Sequence, residues 1–180
     1  MKRDILIVYS TTDGHTVEIC ERVRKRLQQS GAEVDLLPVG QLLQGEAEAA
    51  LASRDLIVLG ASIRYGKHSP QMADFIARHA GLLATKRNAF FSVNAVARKA
   101  EKCSADTNPY VRKFLQRIAW KPQQVAVFAG KIDYPRYGFI DRNMIRLIMW
   151  MTKGPTDPSG VFEFTDWAQV DAFADRLARP

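Results

Sequence analysis

Residues 10–16 read STTDGHT, which places four hydroxyl side chains, one glycine and no lysine or arginine in seven positions. They follow the apolar run Ile5-Leu6-Ile7-Val8-Tyr9 and precede a helical pattern that starts near Val17. A phosphate bound at a strand-to-helix turn needs free backbone N–H groups, a helix N-terminus and small side chains that let it approach. Ser10, Thr11, Thr12 and Thr16 add hydroxyl donors, Gly14 lets the backbone turn tightly, and Asp13 and His15 complete the stretch. A P-loop would need GxxxxGK[ST] and a dinucleotide fingerprint would need three glycines, and neither is present. What remains is a phosphate monoester held by hydroxyls and N–H groups, with the Asp13 carboxylate turned away from it. The competing reading is structural: Asp13-Gly14 makes a turn and a threonine caps the helix. No paired carboxylates, metal-ligand cluster or Ser-His-Asp arrangement stands out, and no catalytic residue is identified.

The elements that would position this stretch alternate along the chain. Apolar strands are expected at 5–9, 33–37, 55–60, 88–93 and 124–129, and helices at 16–29, 41–52, 70–83, 107–119 and 166–178. Four of the five strands are nearly continuously apolar, as strands covered on both faces are. Five βα units predict a doubly wound, five-stranded parallel α/β sheet in one domain, 1–180. Ligands of such sheets bind beyond the carboxyl ends of the strands, which selects 10–16, 61–68, 94–106 and 130–160. A phospho-acceptor domain of the same strand order would need an aspartate ending the third strand, where this chain has Leu59-Gly60-Ala61-Ser62.

Two of those loops lie where flavodoxin-like proteins, which the chain resembles here, grip a flavin ring. GASIRYG (60–66) offers Ala61, Ser62, Ile63, Arg64, Tyr65 and Gly66; SVNAVARK (92–99) offers Asn94, Ala95, Val96, Ala97 and Arg98. Small residues let the backbone reach the polar edge of the ring, and Tyr65 could pack on its face. Together with the phosphate loop they favour FMN.

The 180 residues carry a net charge of +7 and a pI of about 9.6, with 47% hydrophobic residues. That charge calls for an acidic small molecule or an anionic membrane surface. Nucleic acid is excluded by the lack of a zinc-finger spacing, an RNP-like strand or a basic tail. No run reaches the roughly 18–20 apolar residues of a membrane span, and no signal-peptide pattern is expected. Cys20 and Cys103 are expected to be reduced thiols, as in a cytoplasmic protein.

Residues 131–160 form a long insertion after or within the fifth strand, too aromatic and apolar for disorder. Its segment 142–153 predicts an amphipathic, surface-seeking helix. Arg142 and Arg146 share a face, Ile145, Ile148 and Met149 supply apolar surface, and Trp150 suits a membrane interface. Packing on the protein's own body or in a homo-oligomer is the other use of such a helix. Tyr134 and Tyr137, just before it, could wall a cleft.

In the order STTDGHT, GASIRYG, SVNAVARK, YPRYGFIDRNMIRLIMWM and TDW (165–167), the chain resembles the flavodoxin-like, FMN-dependent, quinone-linked protoporphyrinogen IX dehydrogenases of bacteria over essentially its whole length. The resemblance implies a flavodoxin-like fold, with FMN held by 10–16, 61–66 and 94–98. It implies oxidation of protoporphyrinogen IX to protoporphyrin IX, electrons passing to menaquinone or ubiquinone, and a peripheral place on the cytoplasmic face of the inner membrane. The substrate is an apolar macrocycle with two propionates, for which Arg64, Arg98, Lys99, Tyr134 and Arg136 are the candidate contacts. The alternatives are a flavodoxin-type electron carrier, a class that tends to be acidic, or an NAD(P)H:quinone reductase.

Overall fold

The computed structural model describes residues 2–179. Its strands are β1 (Asp4–Ser10), β2 (Glu33–Pro38), β3 (Leu56–Arg64), β4 (Lys67–His68), β5 (Arg87–Asn94) and β6 (Gln124–Ala129). Five of them form a parallel sheet in the order β2-β1-β3-β5-β6, with β4 antiparallel to the end of β3. The doubly wound five-stranded parallel sheet expected from the apolar pattern is therefore present, in the flavodoxin-like form that the resemblance implies.

Residues alternate between the two faces of each strand. Ile5 and Ile7 of β1 join Val23, Leu27, Phe91, Phe128 and Phe173 beneath α1 (His15–Gln29) on one side. Leu6 and Val8 join Phe75, Phe90 and Trp120 on the other, covered by α2 (Val39–Gln44), α3 (Ala47–Ala52), α4 (Pro70–Thr85) and α5 (Pro109–Arg117). The helix expected over 41–52 is two short helices, because the backbone is extended at Gly45. The helix expected from 107 starts at Pro109, where the Asn108 side chain accepts from the N–H groups of Tyr110 and Val111.

The strand expected to stop at Gly60 runs on to Arg64 and turns back through Tyr65-Gly66 into β4. Both turn residues have positive φ, 49° and 77°. That is the signature of a tight two-residue hairpin whose twist matches its strands. Such a φ is uncommon for a tyrosine and fixes its ring at the tip of the turn.

The insertion follows β6. It contains β7 (Lys131–Asp133), α6 (Phe139–Met151) and β8 (Val161–Glu163), with β7 and β8 paired antiparallel to each other alone. Its own small core is Ile132, Tyr134, Tyr137 and Met149. The excursion ends where it began: Phe164 N–H donates to Gly130 O, and the Thr165 hydroxyl donates to Ala129 O at 2.8 Å. From there α7 (Trp167–Ala178), capped by Asp166, packs beside α1, with Arg22–Asp171 and Arg26–Asp175 pairs between them. These pairs are exposed to solvent and contribute little to stability.

Candidate functional site

At the carboxyl end of the sheet the chain leaves a cleft of about 1200 Å³, bounded by the loop after β1, the β3–β4 hairpin, the loop after β5 and the insertion. A single small-ligand pocket spans roughly 300–1,000 Å³, so this cleft has room for a cofactor and a second molecule.

The loop after β1 leaves polar groups without partners at the start of α1. Gly14 sits before α1 at φ 87°, and no side chain caps the helix. The capping threonine of the structural reading is absent: Thr11 Oγ1 instead accepts from Gly14 N–H at 3.0 Å, within the loop. Ser10 Oγ and Thr16 Oγ1 are buried without any partner. Buried hydroxyls are normally paired, so two orphans beside an uncapped helix start fit the phosphate of FMN. His15 contributes differently from expected. Its ring nitrogens are taken by Glu18 Oε2 at 3.0 Å and Thr165 Oγ1 at 2.6 Å, so its side chain joins TDW to the phosphate loop rather than to a phosphate. Thr12 is exposed.

The expectation that Asp13 turns away has a specific cause. Arg64 Nη1 donates to both Asp13 oxygens, at 2.7 and 2.8 Å, and Arg64 Nη2 donates to Asp141 Oδ2 at 2.6 Å. The Tyr65 hydroxyl also donates to Asp141. The same guanidinium lies 5.3 and 5.2 Å from the ring centres of Tyr65 and Tyr137. This clasp joins the phosphate loop, the hairpin and α6 across the mouth of the cleft. Asp141 is held below its ordinary carboxylate range, first by the Tyr65 hydroxyl and then, against some desolvation, by Arg64. Arg64 is thus committed to two carboxylates and is not a free cation for a propionate.

The loop after β5 is closed on itself. Asn94 Oδ1 accepts from Ala97 N–H and from Asn108 Nδ2, both at 3.0 Å. Ala95 and Val96 line the cleft, whereas Ala97 packs in a small core with Val111 and Val127. Arg98 is also corrected: its guanidinium donates to Ala95 O at 2.8 Å, and to Thr152 O at 2.9 Å and Thr152 Oγ1 at 3.0 Å. It ties the insertion to this loop, and partial burial lowers its pKa from the ordinary arginine value.

Lys99 and Arg136 do not line the cleft among the described residues, and Tyr134 is fully buried in the insertion core, its hydroxyl donating to Pro155 O. Of the two insertion tyrosines, Tyr137 is the one that lines the cleft; burial pushes its pKa up to about 12. His68 is buried between Phe90 and Phe114, with Nε2 2.9 Å from Ser92 Oγ. Burial lowers its pKa to about 4, which makes it a neutral wall residue and a weak base.

The helix α6 begins at Phe139, three residues before the expected segment, and its faces are assigned by contact. Ile145 and Ile148 pack inward along the cleft and Met149 is buried, so these three are not a membrane face. Arg146 donates to Thr156 O, and Arg142 is half-buried. The outward surface is Phe139, Ile140, Leu147, Trp150 and Met151, with Ile140 78% and Trp150 72% exposed. Sequence reasoning missed Asp141, Lys113 and Arg117. The first is legible only as the lone acid of a basic, apolar helix, the other two as an i,i+4 pair on α5.

Comparison with known proteins places this geometry. A flavodoxin-domain family model matches residues 6–159. The protoporphyrinogen IX dehydrogenase [quinone] of Escherichia coli K12 is 43% identical over 173 residues, covering 96% of this chain and 93% of that protein. The Leishmania major protein of the same name is 42% identical over 174 residues, covering 96% and 74%. Among solved structures, the flavodoxin of Streptococcus pneumonia TIGR4 superposes with a TM-score of 0.53 at 19% identity, covering 97% of each chain, which speaks to the fold alone.

Proposed function

We propose, from the premise that this chain belongs to the flavodoxin-domain family and within it to the quinone-linked protoporphyrinogen IX dehydrogenases, that it oxidises protoporphyrinogen IX to protoporphyrin IX and delivers the electrons to a quinone. The observation that carries the reading is the 43% identity spread over 96% of the chain, because that span includes the insertion as well as the sheet.

The cofactor is FMN. Ser10, Thr16 and the uncapped start of α1 would hold its phosphate, and the hairpin and the Asn94–Val96 backbone would border its ring. Bound FMN supplies two-electron acceptance from carbon and passage of electrons to a quinone. The chain's own residues do the positioning. Arg64 neutralises Asp13, so that a carboxylate beside the phosphate does not repel it. The inward face of α6, with Ile145 and Ile148, gives an apolar wall that excludes water from a hydrophobic macrocycle. Six electrons and six protons leave the porphyrinogen, and three quinones take them up as quinols. None of the cleft residues is assigned as the proton acceptor.

The outward face of α6 seats the protein peripherally on the cytoplasmic side of the inner membrane. What supports this is the exposed row Phe139, Ile140, Leu147, Trp150 and Met151 on a chain of net charge +7. No helix among the described residues is long and apolar enough to cross a membrane. A second copy of the chain is the other cover for that face, distinguished by sedimentation with and without anionic vesicles.

The test is anaerobic. FMN-loaded protein is mixed with protoporphyrinogen IX and a menaquinone analogue, and porphyrin fluorescence is followed against a protein-free blank. The expected rise requires protein and quinone together. Bound FMN with no rise would overturn the reading in favour of a carrier, or of a reductase if NAD(P)H bleaches the flavin.

A further inference from the structure

The cleft does not end at the flavin-facing loops. It continues as an arm between α4 and α5, past the β3–β4 hairpin and the buried His68. Ala73, Ile76 and Ala77 of α4 form one side, and Phe114 of α5 with Ile118 just past its end form the other. The alanines stand four apart on one helix face, so the α4 side is smooth and apolar over about one helical turn, and Phe114 and Ile118 keep the facing side apolar. Lys113 and Arg117, also four apart, edge the arm from α5. Both are exposed, and neither has an ion-pair partner among the described residues.

We propose that this arm seats the carboxylate-bearing side of the substrate, an apolar macrocycle whose two carboxylates are held by Lys113 and Arg117. The proposal rests on the functional reading above. Three observations meet in it. The cleft exceeds what one ligand fills. The arm pairs an apolar floor with cations at one edge, which complements a hydrophobic dianion. The arginines nearer the flavin-facing loops are already spent, Arg64 on Asp13 and Asp141, and Arg98 on the Ala95 and Thr152 carbonyls. Lys131, on the insertion side, faces Glu18 at 3.8 Å. Lys113 acts as a point charge, and Arg117 as a planar fork able to engage both oxygens of one carboxylate. Exposed charge pairs are modest, so two of them bias binding by roughly tenfold.

The test compares the FMN-loaded full chain with Lys113→Ala/Arg117→Ala. Protoporphyrinogen IX and its dimethyl ester are the substrates, with a menaquinone analogue as acceptor. The expected result is a KM about tenfold higher for the free acid, with kcat changed far less. The ester, which has no charge to lose, should show the same KM with either protein. An unchanged KM for the acid overturns the proposal, and so does an equal loss for acid and ester, which would assign the residues to packing. Binding to phosphatidylglycerol vesicles is measured in parallel. If that falls while KM holds, the pair serves a lipid surface and the proposal is wrong. Wild-type protein that does not oxidise the porphyrinogen at all sinks the functional reading itself, before any variant is compared.

Discussion

After β1, Ser10 Oγ and Thr16 Oγ1 are buried with no partner, and α1 starts without a side-chain cap. After β5, at the same end of the sheet, Asn94, Arg98 and Asn108 are bonded to each other's loop and to nearby carbonyls. Both loops carry polar side chains at buried or half-buried positions, yet only the second is complete by itself. A buried hydroxyl without a partner costs about 1–3 kcal/mol, and an anion bound at the first loop would offset that cost. The loop after β5 is scaffold whether or not a ligand is present. Polar composition alone does not separate the two; the pairing does.

The sharpest way to break this contrast is to remove the orphans. Ser10→Ala with Thr16→Val should weaken FMN binding on the order of 100-fold, since each hydroxyl loses a charge-assisted hydrogen bond. The FMN-free protein should melt no lower than wild type, and slightly higher if the orphans were a burden. Flavin fluorescence titration and a melting curve without flavin measure the two quantities. A large fall in the FMN-free melting temperature would place these hydroxyls in the scaffold and erase the distinction.

The opposite outcome is expected across the sheet. Asn108→Ala deletes the α5 cap and the bridge to Asn94, worth about 2–3 kcal/mol together. For a chain of this size that lowers the melting temperature by about 5–10 °C. The drop should be the same with and without FMN, and FMN affinity should move by less than about threefold.

A pH-dependent effect of comparable size concerns the wall behind that loop. His68 has a folded pKa of about 4, below its ordinary value of 6.5, because burial disfavours the charged ring. The unfolded chain therefore binds the proton first as pH falls. Stability from this group is complete above about pH 6.5, declines as pH drops toward 4, and loses nothing more below that, a total of up to about 3 kcal/mol. Urea midpoints at pH 7, 5.5 and 4 should show the decline, and His68→Gln should flatten it.

The sheet was legible because ILIVY, DLIVLG and NAFFSV are continuous apolar runs that only two covered faces explain. The loop after β1 stood out as a candidate because its hydroxyls, glycine and helix start lie within seven residues. The hairpin did not, since a tyrosine at positive φ is no turn signal in a sequence. The arginines were misplaced for a different reason. Arg64 meets partners 51 and 77 residues away, and Arg98 one that is 54 away, so type and local spacing carry nothing about whether they are free. In α6, apolar residues cover most of the circumference. The pattern announces a helix that must be covered and leaves open that Met149 faces in while Leu147 faces out.

The three tryptophans have an optical consequence. Trp120 is buried in the core under α4 and gives a constant background. Trp167 stands edge-on to His15, 6.0 Å between ring centres, so its emission reads the neighbourhood of the phosphate loop. Trp150 lies on the outward face of α6, where entry into lipid would shift its emission to the blue. One unlabelled chain therefore carries separate native reporters for cofactor loading and for surface docking. Replacing Trp150 or Trp167 by phenylalanine, one at a time, resolves the two signals.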